Sequence, residues 1–441
     1  MSHSSGSNLS RDYHSEARRE SGRSVFQEHH HTAADLLRIV FGDYRGNVAI
    51  RLWNGEYAVG EDHAACTLVL NQPQPLRNLV LHGDLLQLAE AHLAGEVDVE
   101  GNLESLFGLL AFFQERNLSL SERLQLVRLA WTLPHERGAW HGLVHGGNVR
   151  RDHNSRETIS RHYDVSNDFY RLWLDPEMVY SCAYFSHPGQ SVAEAQRDKL
   201  DYICRKLRLA PGQRLLDIGC GWGALALWAV RHYGVEAHGI TLSEQQHRYA
   251  CDRAEAEGLT DKVRFELRDY RDLDVTTRYD RIVSVGMFEH IGVKSFPGYF
   301  GIIEQLLAPG GVFLNHGITN DSGWQPNDMR SFINKYIFPD GELTRISTVI
   351  TAMEDAGFEI LDAESLRPHY ALTLRRWVQG LEAHRQEAVG LVGEKTYRLW
   401  RLYMSGCAYY FDQGNTGIYQ VLAGKLHQPW PVPLRRSDLY N

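Results

Sequence analysis

Residues 214–223, Arg-Leu-Leu-Asp-Ile-Gly-Cys-Gly-Trp-Gly, restrict this chain to few folds. An apolar run ends in an acid, three glycines alternate behind it, and a helical pattern, ALALWAVRHY, starts at once. Gly219, Gly221 and Gly223 let the backbone turn tightly and approach a ligand closely. The same rhythm continues downstream. Strands are expected over 214–218, 235–240, 263–267 and 280–285, and over 311–316 after a turn at Pro309-Gly310. Helices are expected over 224–232 and over 243–257, the latter with Ser243 as its N-cap. Such alternation predicts an α/β domain, a parallel sheet with helices on both faces. A helix over 348–357, a strand over 359–363 and a long helical stretch from Leu372 follow.

With 441 residues, 43% of them apolar and 23% charged, the chain has room for two or three domains and one large core. A formal charge of −9 argues against a nucleic-acid binder that relies on bulk positive charge. Six cysteines without a C-x-x-C pair suit reduced thiols in a cytosolic enzyme. The first ~30 residues carry no apolar stretch of a secretory leader. Residues 1–24 are expected to be a disordered tail. The apolar run at 106–113 is too short to span a bilayer.

Residues 25–125 read as a small α+β domain. Strands at 48–53 and 56–59 flank Asn54-Gly55, which favours a two-residue hairpin turn, and another strand is expected over 67–70. A helix from Gly83 ends at Gly95, a C-cap. Phe107, Leu110 and Phe113 form a stripe that fits either an interfacial helix or an ordinary amphipathic core helix. Residues 126–162 read as a helical linker rich in Arg and His, including Arg128, Arg137, Arg150, Arg151, Arg156 and Arg161. It is either a solvated connector or a basic face opposite anionic headgroups. Residues 163–441 form the catalytic domain.

A dinucleotide fold would want G-x-G-x-x-G and an acid ending the second strand. Here the spacing is G-x-G-x-G behind Asp217, and the second strand ends in GITLSEQQ. The departure argues against NAD and for S-adenosyl-L-methionine (SAM), with Asp217 facing the ligand's ammonium group. Thr241, Leu242 and Gln246 then fall beside the ribose and methionine portions. Asp269 and Tyr270 fall near the adenine, where Asp269 can accept from the exocyclic amine; an N-capping Asp and a core Tyr are the alternative.

Seven blocks together resemble the cyclopropane-fatty-acid synthase family of Rossmann-like class I SAM-dependent methyltransferases. They are HYDVSNDFY (162–170), YSCAYF (180–185), PGQRLLDIGCGWG (211–223), GITLSEQQ (239–246), DRIVSVGMFEHIG (280–292), FINKYIFPDGEL (332–343) and HYALTLRRW (369–377). LDIGCG alone is common among methyltransferases, whereas YSCAYF, MFEHIG and NKYIFP together are specific. LAEAHLAGEVDVEGNL resembles, more weakly, the lipid-binding domain that precedes the catalytic domain in full-length bacterial members.

The resemblance implies methylene transfer from SAM to the cis double bond of an acyl chain in a membrane phospholipid. Carried over, a bicarbonate site falls on Cys182, Glu289, His316, the backbone of Ile318, and Tyr370, while Tyr180 and Ser181 join the SAM contacts. Cys407 occupies the place of a cysteine once suspected of catalysis; a thiol sensitive to modification fits better, since no base stands beside it in the sequence. A homodimer, peripheral at the inner membrane, with no metal and no nucleic acid, is implied as well.

The chemistry explains such a set. Attack of an alkene on an activated methyl leaves a carbocation, and ring closure then needs a base in an apolar, water-free site. Tyr180, Tyr184, Phe185 and Tyr336 are candidates to face that cation. The same cation can instead lose its proton elsewhere and leave a methyl or methylene branch. A silent SAM- or lipid-binding module and a small-molecule methyltransferase are weaker readings. Asp217, Glu289 and His316 speak against the first, and the amino-terminal domain against the second.

Overall fold

A computed structural model describes residues 29–134, 166–320, 328–338 and 341–440. The expected disordered tail and most of the Arg/His linker lie outside these residues. The chain divides into two compact units, Met1–Arg151 and Asp152–Asn441. No helix among the described residues is long and apolar enough to cross a membrane.

The first unit runs α1 (His30–Phe41), β1 (Val48–Arg51), β2 (Tyr57–Val59), β3 (Cys66–Leu70), α2 (Gln74–His82), α3 (Leu85–Ala94), β4 (Val97–Gly101), α4 (Leu103–Glu115) and α5 (Leu120–Thr132). Its sheet has the order β2-β1-β3-β4. The hairpin turn differs from expectation. Only Gly55 has positive φ, and the Leu52 and Glu56 backbones close a three-residue loop, because a two-residue turn of the favoured type would need Asn54 left-handed too. Gly95 ends α3 in the left-handed conformation, as its C-cap position requires. Phe107 is buried, and Phe113 packs its ring 6.0 Å from that of Phe41, which makes the stripe on α4 a core face. Helix α5 crosses residue 126, so the expected linker starts inside a helix of this unit.

The second unit opens with α6 (Asn167–Arg171) and α7 (Val192–Lys206), then alternates: β5 (Arg214–Ile218), α8 (Ala224–Tyr233), β6 (Glu236–Thr241), α9 (Glu244–Ala256), β7 (Val263–Leu267), β8 (Tyr279–Val285), α10 (Phe296–Leu306), β9 (Leu307–Asn320). After α11 (Asp328–Tyr336) and α12 (Ile346–Asp355) come β10 (Phe358–Ser365), α13 (Arg367–Ala383), α14 (Arg385–Gln413, kinked at Gly393) and β11 (Thr416–Lys425). The seven strands take the order β10-β11-β9-β8-β5-β6-β7.

Five strands, β7-β6-β5-β8-β9, are parallel, and β11 runs antiparallel between β9 and β10. The sheet is therefore mixed, not wholly parallel. Pro309-Gly310 lies inside β9 as an irregularity: Leu307 and Val312 oppose Tyr279 and Arg281. Buried side chains from Leu200 to Phe265 fill one face of the sheet, and those from Phe296 to Met353 fill the other. Both sides of the central parallel strands are thus covered, whereas the edge strand β7 alternates buried and exposed residues.

Candidate active site

The carboxyl ends of β5, β6 and β7 open onto one cavity, as the crevice rule for α/β sheets requires. Asp217 closes β5, and Gly219 and Gly221 turn the chain at φ of 81° and 55°. A Cβ on Gly221 would meet nothing within 4 Å, so the backbone there is bare toward the cavity. Thr241 ends β6, and its hydroxyl donates to Gln246 Oε1 at 2.7 Å, fixing the amide beside Leu242. Tyr180, Ser181 and Tyr270 complete the wall.

Asp269 lines this cavity too, but its carboxylate is already engaged. It takes a two-pronged interaction from Arg271 (2.9 and 2.7 Å) and caps the turn at the Arg271 amide. The capping alternative therefore holds for Asp269, beside its place in the wall.

Gly223 is the exception among the expected cofactor residues: it does not line the cavity. Its φ of 83° and the Phe265 ring, 2.6 Å from where a Cβ would sit, make it a close-packing position beneath α8.

A second cavity adjoins the first and contains all six residues expected for catalysis: Cys182, Glu289, His316, Ile318, Tyr370 and Cys407. Its remaining wall is largely aromatic and aliphatic, with Phe338, Tyr403, Tyr410 and Phe411 prominent. Tyr180, Ser181, Val285, Gly286 and His290 belong to both cavities, so the two meet across this short wall. Tyr184, Phe185 and Tyr336 do not reach either one. Tyr184 is stacked between Tyr202 and His369 (4.3 and 4.8 Å), and Phe185 is buried against Ala183 and Ala195.

Several atoms of the second cavity are poised for a ligand. Glu289 Oε1 accepts the Ile318 N–H at 2.6 Å, so that amide, expected to face an anion, already has an acceptor. Glu289 Oε2 and His316 Nε2 are buried without a hydrogen-bond partner among the described residues. Burial raises the Glu289 carboxyl to about 7, partly offset by the Ile318 amide, so near neutrality a large share is a neutral acid able to donate. Burial also holds His316 well below the usual imidazole range and keeps it neutral. The amide of Gln420, fully buried on β11, donates to His316 Nδ1 at 3.4 Å, which leaves the proton on Nε2. Burial keeps Cys182 a thiol, its S–H directed at the carbonyls of Ala183 and Leu366 (3.3 and 3.9 Å). Cys407 is pushed up to about 12 by burial, which is no state for a nucleophile.

Two sets of residues were missed in the sequence. Lys199 lines the first cavity, and its Nζ donates to Ser181 Oγ at 2.9 Å, while Gln196 donates to the Ser181 carbonyl at 2.9 Å. Both lie on the buried stripe of α7, and polar residues on an apolar stripe were the readable signal. His290, lining both cavities, sits beside Phe338 with ring centroids 5.1 Å apart. The described part of the block at 162–170, residues 166–170, acts through packing. Asn167 accepts from the Trp222 indole at 2.8 Å, and Tyr170 packs against Trp173, Tyr180, Trp222 and Trp400. That cage holds Tyr180 at the junction.

Residues 150–421 match the family described as "Mycolic acid cyclopropane synthetase". The chain is similar to a Pseudomonas putida protein named "Probable fatty acid methyltransferase", 41% identical over 400 residues, which cover 89% of this chain and 96% of the relative. It is similar to the cyclopropane-fatty-acyl-phospholipid synthase of Escherichia coli K12, 39% identical over 263 residues, 59% of this chain and 66% of that one. Among solved structures it is similar to mycolic acid cyclopropane synthase CmaA1 complexed with SAH and CTAB. There the identity is 36% and the TM-score 0.59, over 61% of this chain and 98% of that one.

Proposed function

The chain belongs to the mycolic acid cyclopropane synthetase family of SAM-dependent methyltransferases, and from that premise we propose that it is a cyclopropane-fatty-acyl-phospholipid synthase, converting the cis double bond of a phospholipid acyl chain to a three-membered ring. The observation that carries this reading is the pair of cavities sharing one short wall. One has charged and polar groups suited to a zwitterionic nucleoside. The other has an aromatic lining suited to an acyl chain, with polar atoms on Glu289 and His316 that have no partner among the described residues.

SAM, when bound, supplies a sulfonium-activated methyl. Asp217, Thr241, Leu242, Gln246, Gly219 and Gly221 would hold it, with Tyr180 and Ser181 at its reactive end. The rings of Tyr180, Tyr370 and Tyr403 present faces that stabilise positive charge on the acyl chain. Bicarbonate, when bound, supplies a base for the proton that ring closure releases. His316 Nε2–H and the protonated Glu289 are the donors that fit it, with Tyr370, Cys182 and a shared Ile318 amide completing the set. Phe338, Tyr410 and Phe411 exclude water that would trap the cation. The amino-terminal unit, in this reading, engages the lipid surface, and the protein works as a cytoplasmic homodimer peripheral to the inner membrane.

A second reading, methyl or methylene branching, is favoured by the name of the Pseudomonas putida relative, a fatty acid methyltransferase. One experiment separates them: incubation with unsaturated phospholipid vesicles and methyl-labelled SAM, followed by mass spectrometry and NMR of the acyl chains. Cyclopropane proton signals are expected. Label in a branched chain supports the second reading, and unlabelled lipid refutes both.

A further inference from the structure

Helix α7 buries an ammonium group where an amphipathic helix ordinarily places a methyl. Lys199 is 2% exposed, on the stripe it shares with Ala195, Gln196, Leu200 and Ile203. A charge held this deep needs compensation. Ser181 Oγ accepts one of its hydrogens at 2.9 Å. Among the described residues no carboxylate forms an ion pair with it. Asp175, in the segment after α6, is the carboxylate whose charge acts most on Lys199, but its oxygens accept the amides of Glu177 and Val179 at 2.9 Å each. Cys182 and His316, the other titratable groups around it, are both neutral.

Asp217 lines the same cavity and is in the mirror situation: 2% exposed, its carboxylate accepting no hydrogen bond from another described residue. Burial pulls Lys199 down to about 8, opposed by the charge of Asp175 and, more weakly, that of Asp217; burial pushes Asp217 up to about 7, opposed by Lys199. Two opposite charges thus face one cavity without neutralising each other. A ligand end that carries both an ammonium and a carboxylate supplies what each lacks. The adenine region, by contrast, lies two strands away at the end of β7, about 10 Å off at ordinary strand spacing.

We infer that Lys199 is a cofactor-binding residue: its ammonium, steadied by Ser181, takes the α-carboxylate of the methionine end while Asp217 takes the α-ammonium. This rests on reading the first cavity as the SAM site. It also gives Ser181 a defined part, since that side chain then couples donor binding to the wall between the two cavities.

The test is calorimetric titration with two ligands that share an adenosyl thioether, S-adenosylhomocysteine and 5′-methylthioadenosine, the latter lacking the amino-acid end. In Lys199→Met, S-adenosylhomocysteine is expected to bind roughly 10- to 100-fold more weakly, the range for a lost charged hydrogen bond, with 5′-methylthioadenosine unchanged. The wild type is expected to lose S-adenosylhomocysteine affinity above about pH 8, a limb absent from the variant. Equal losses for both ligands would mean that Lys199 merely packs, and no loss would mean that it touches nothing; either overturns the inference. If Lys199→Met does not fold, the α-carboxamide of S-adenosylhomocysteine on the wild type replaces it, and undiminished affinity overturns the inference. A folded wild type that binds 5′-methylthioadenosine but shows no preference for S-adenosylhomocysteine refutes the Lys199 role alone. One that binds neither refutes the SAM site itself.

Discussion

Replacing Glu289 with Gln separates what this carboxyl does for the reaction from what its burial does to the fold. Glu289 is 5% exposed, accepts the Ile318 N–H through Oε1 at 2.6 Å, and leaves Oε2 without a partner among the described residues. Gln keeps the Oε1 acceptor and the volume but cannot ionise. Burial lifts the carboxyl from 4.5 to about 7, so the folded protein keeps a proton that the unfolded chain releases over that interval. The stability contributed by the protonated acid is complete below 4.5 and is lost as pH rises through about 7. At 1.36 kcal/mol per pKa unit, the ionised carboxylate destabilises the fold by about 3 kcal/mol above that point. Glu289→Gln should therefore match the wild type at about pH 4 and exceed its stability by about 3 kcal/mol at about pH 8.5. The assay is urea unfolding of both proteins at the two pH values, followed by tryptophan fluorescence. Asp217 and the other titrating groups cancel in the difference. Turnover in the same variant should fall by at least ~100-fold, a general acid–base contribution. A stability difference that is flat with pH, or a wild type that stays the more stable at high pH, refutes the argument.

Three further expectations follow from neighbouring geometry. Asp217, pushed up to about 7, must ionise to hold an ammonium group, so S-adenosylhomocysteine affinity should weaken toward about tenfold per unit below that pH. Calorimetry on Asp217→Asn should show that limb flattened. Gly223→Ala places a Cβ 2.6 Å from the Phe265 ring at a φ of 83°, and thermal unfolding should register a loss of about 2–4 kcal/mol. Asn167→Ala removes the acceptor, 2.8 Å away, of the Trp222 indole N–H; about 1–3 kcal/mol should be lost, with a changed near-ultraviolet dichroism from the aromatic cage.

The central parallel strands were legible because their inner residues are buried and apolar, as in Leu215–Leu216 and Ile282–Val283, beside glycine-rich turns. Val263–Leu267 fell on its expected residues for another reason: at the sheet edge it alternates, with Val263 and Phe265 buried and Arg264 exposed. Strand β11 was hidden behind α14: after Gly414 caps the helix, Thr416–Lys425 turns β-like, but the helical pattern from Leu372 masks the change. Proline and glycine at 309–310 signalled a break, whereas β9 absorbs them as an irregularity because β11 pairs with its far end through Asn320. In the site, short motifs located the wall residues, since those sit on strand ends and adjacent turns. Gln420 left no such signal, and Lys199 only that of a polar residue on the apolar stripe of α7. Each acts through a partner far away in sequence, His316 and Ser181, and neither carries a motif of its own.

The narrow partition formed by Tyr180, Ser181, Val285, Gly286 and His290 has a pharmacological corollary. A single molecule with a nucleoside head and an alkyl tail, joined by a linker slim enough to pass beside the Gly286 backbone, would fill both chambers at once. Its halves would raise each other's local concentration, so its affinity should exceed that of either fragment by far more than their summed contacts suggest. A competitor confined to one chamber has no such advantage.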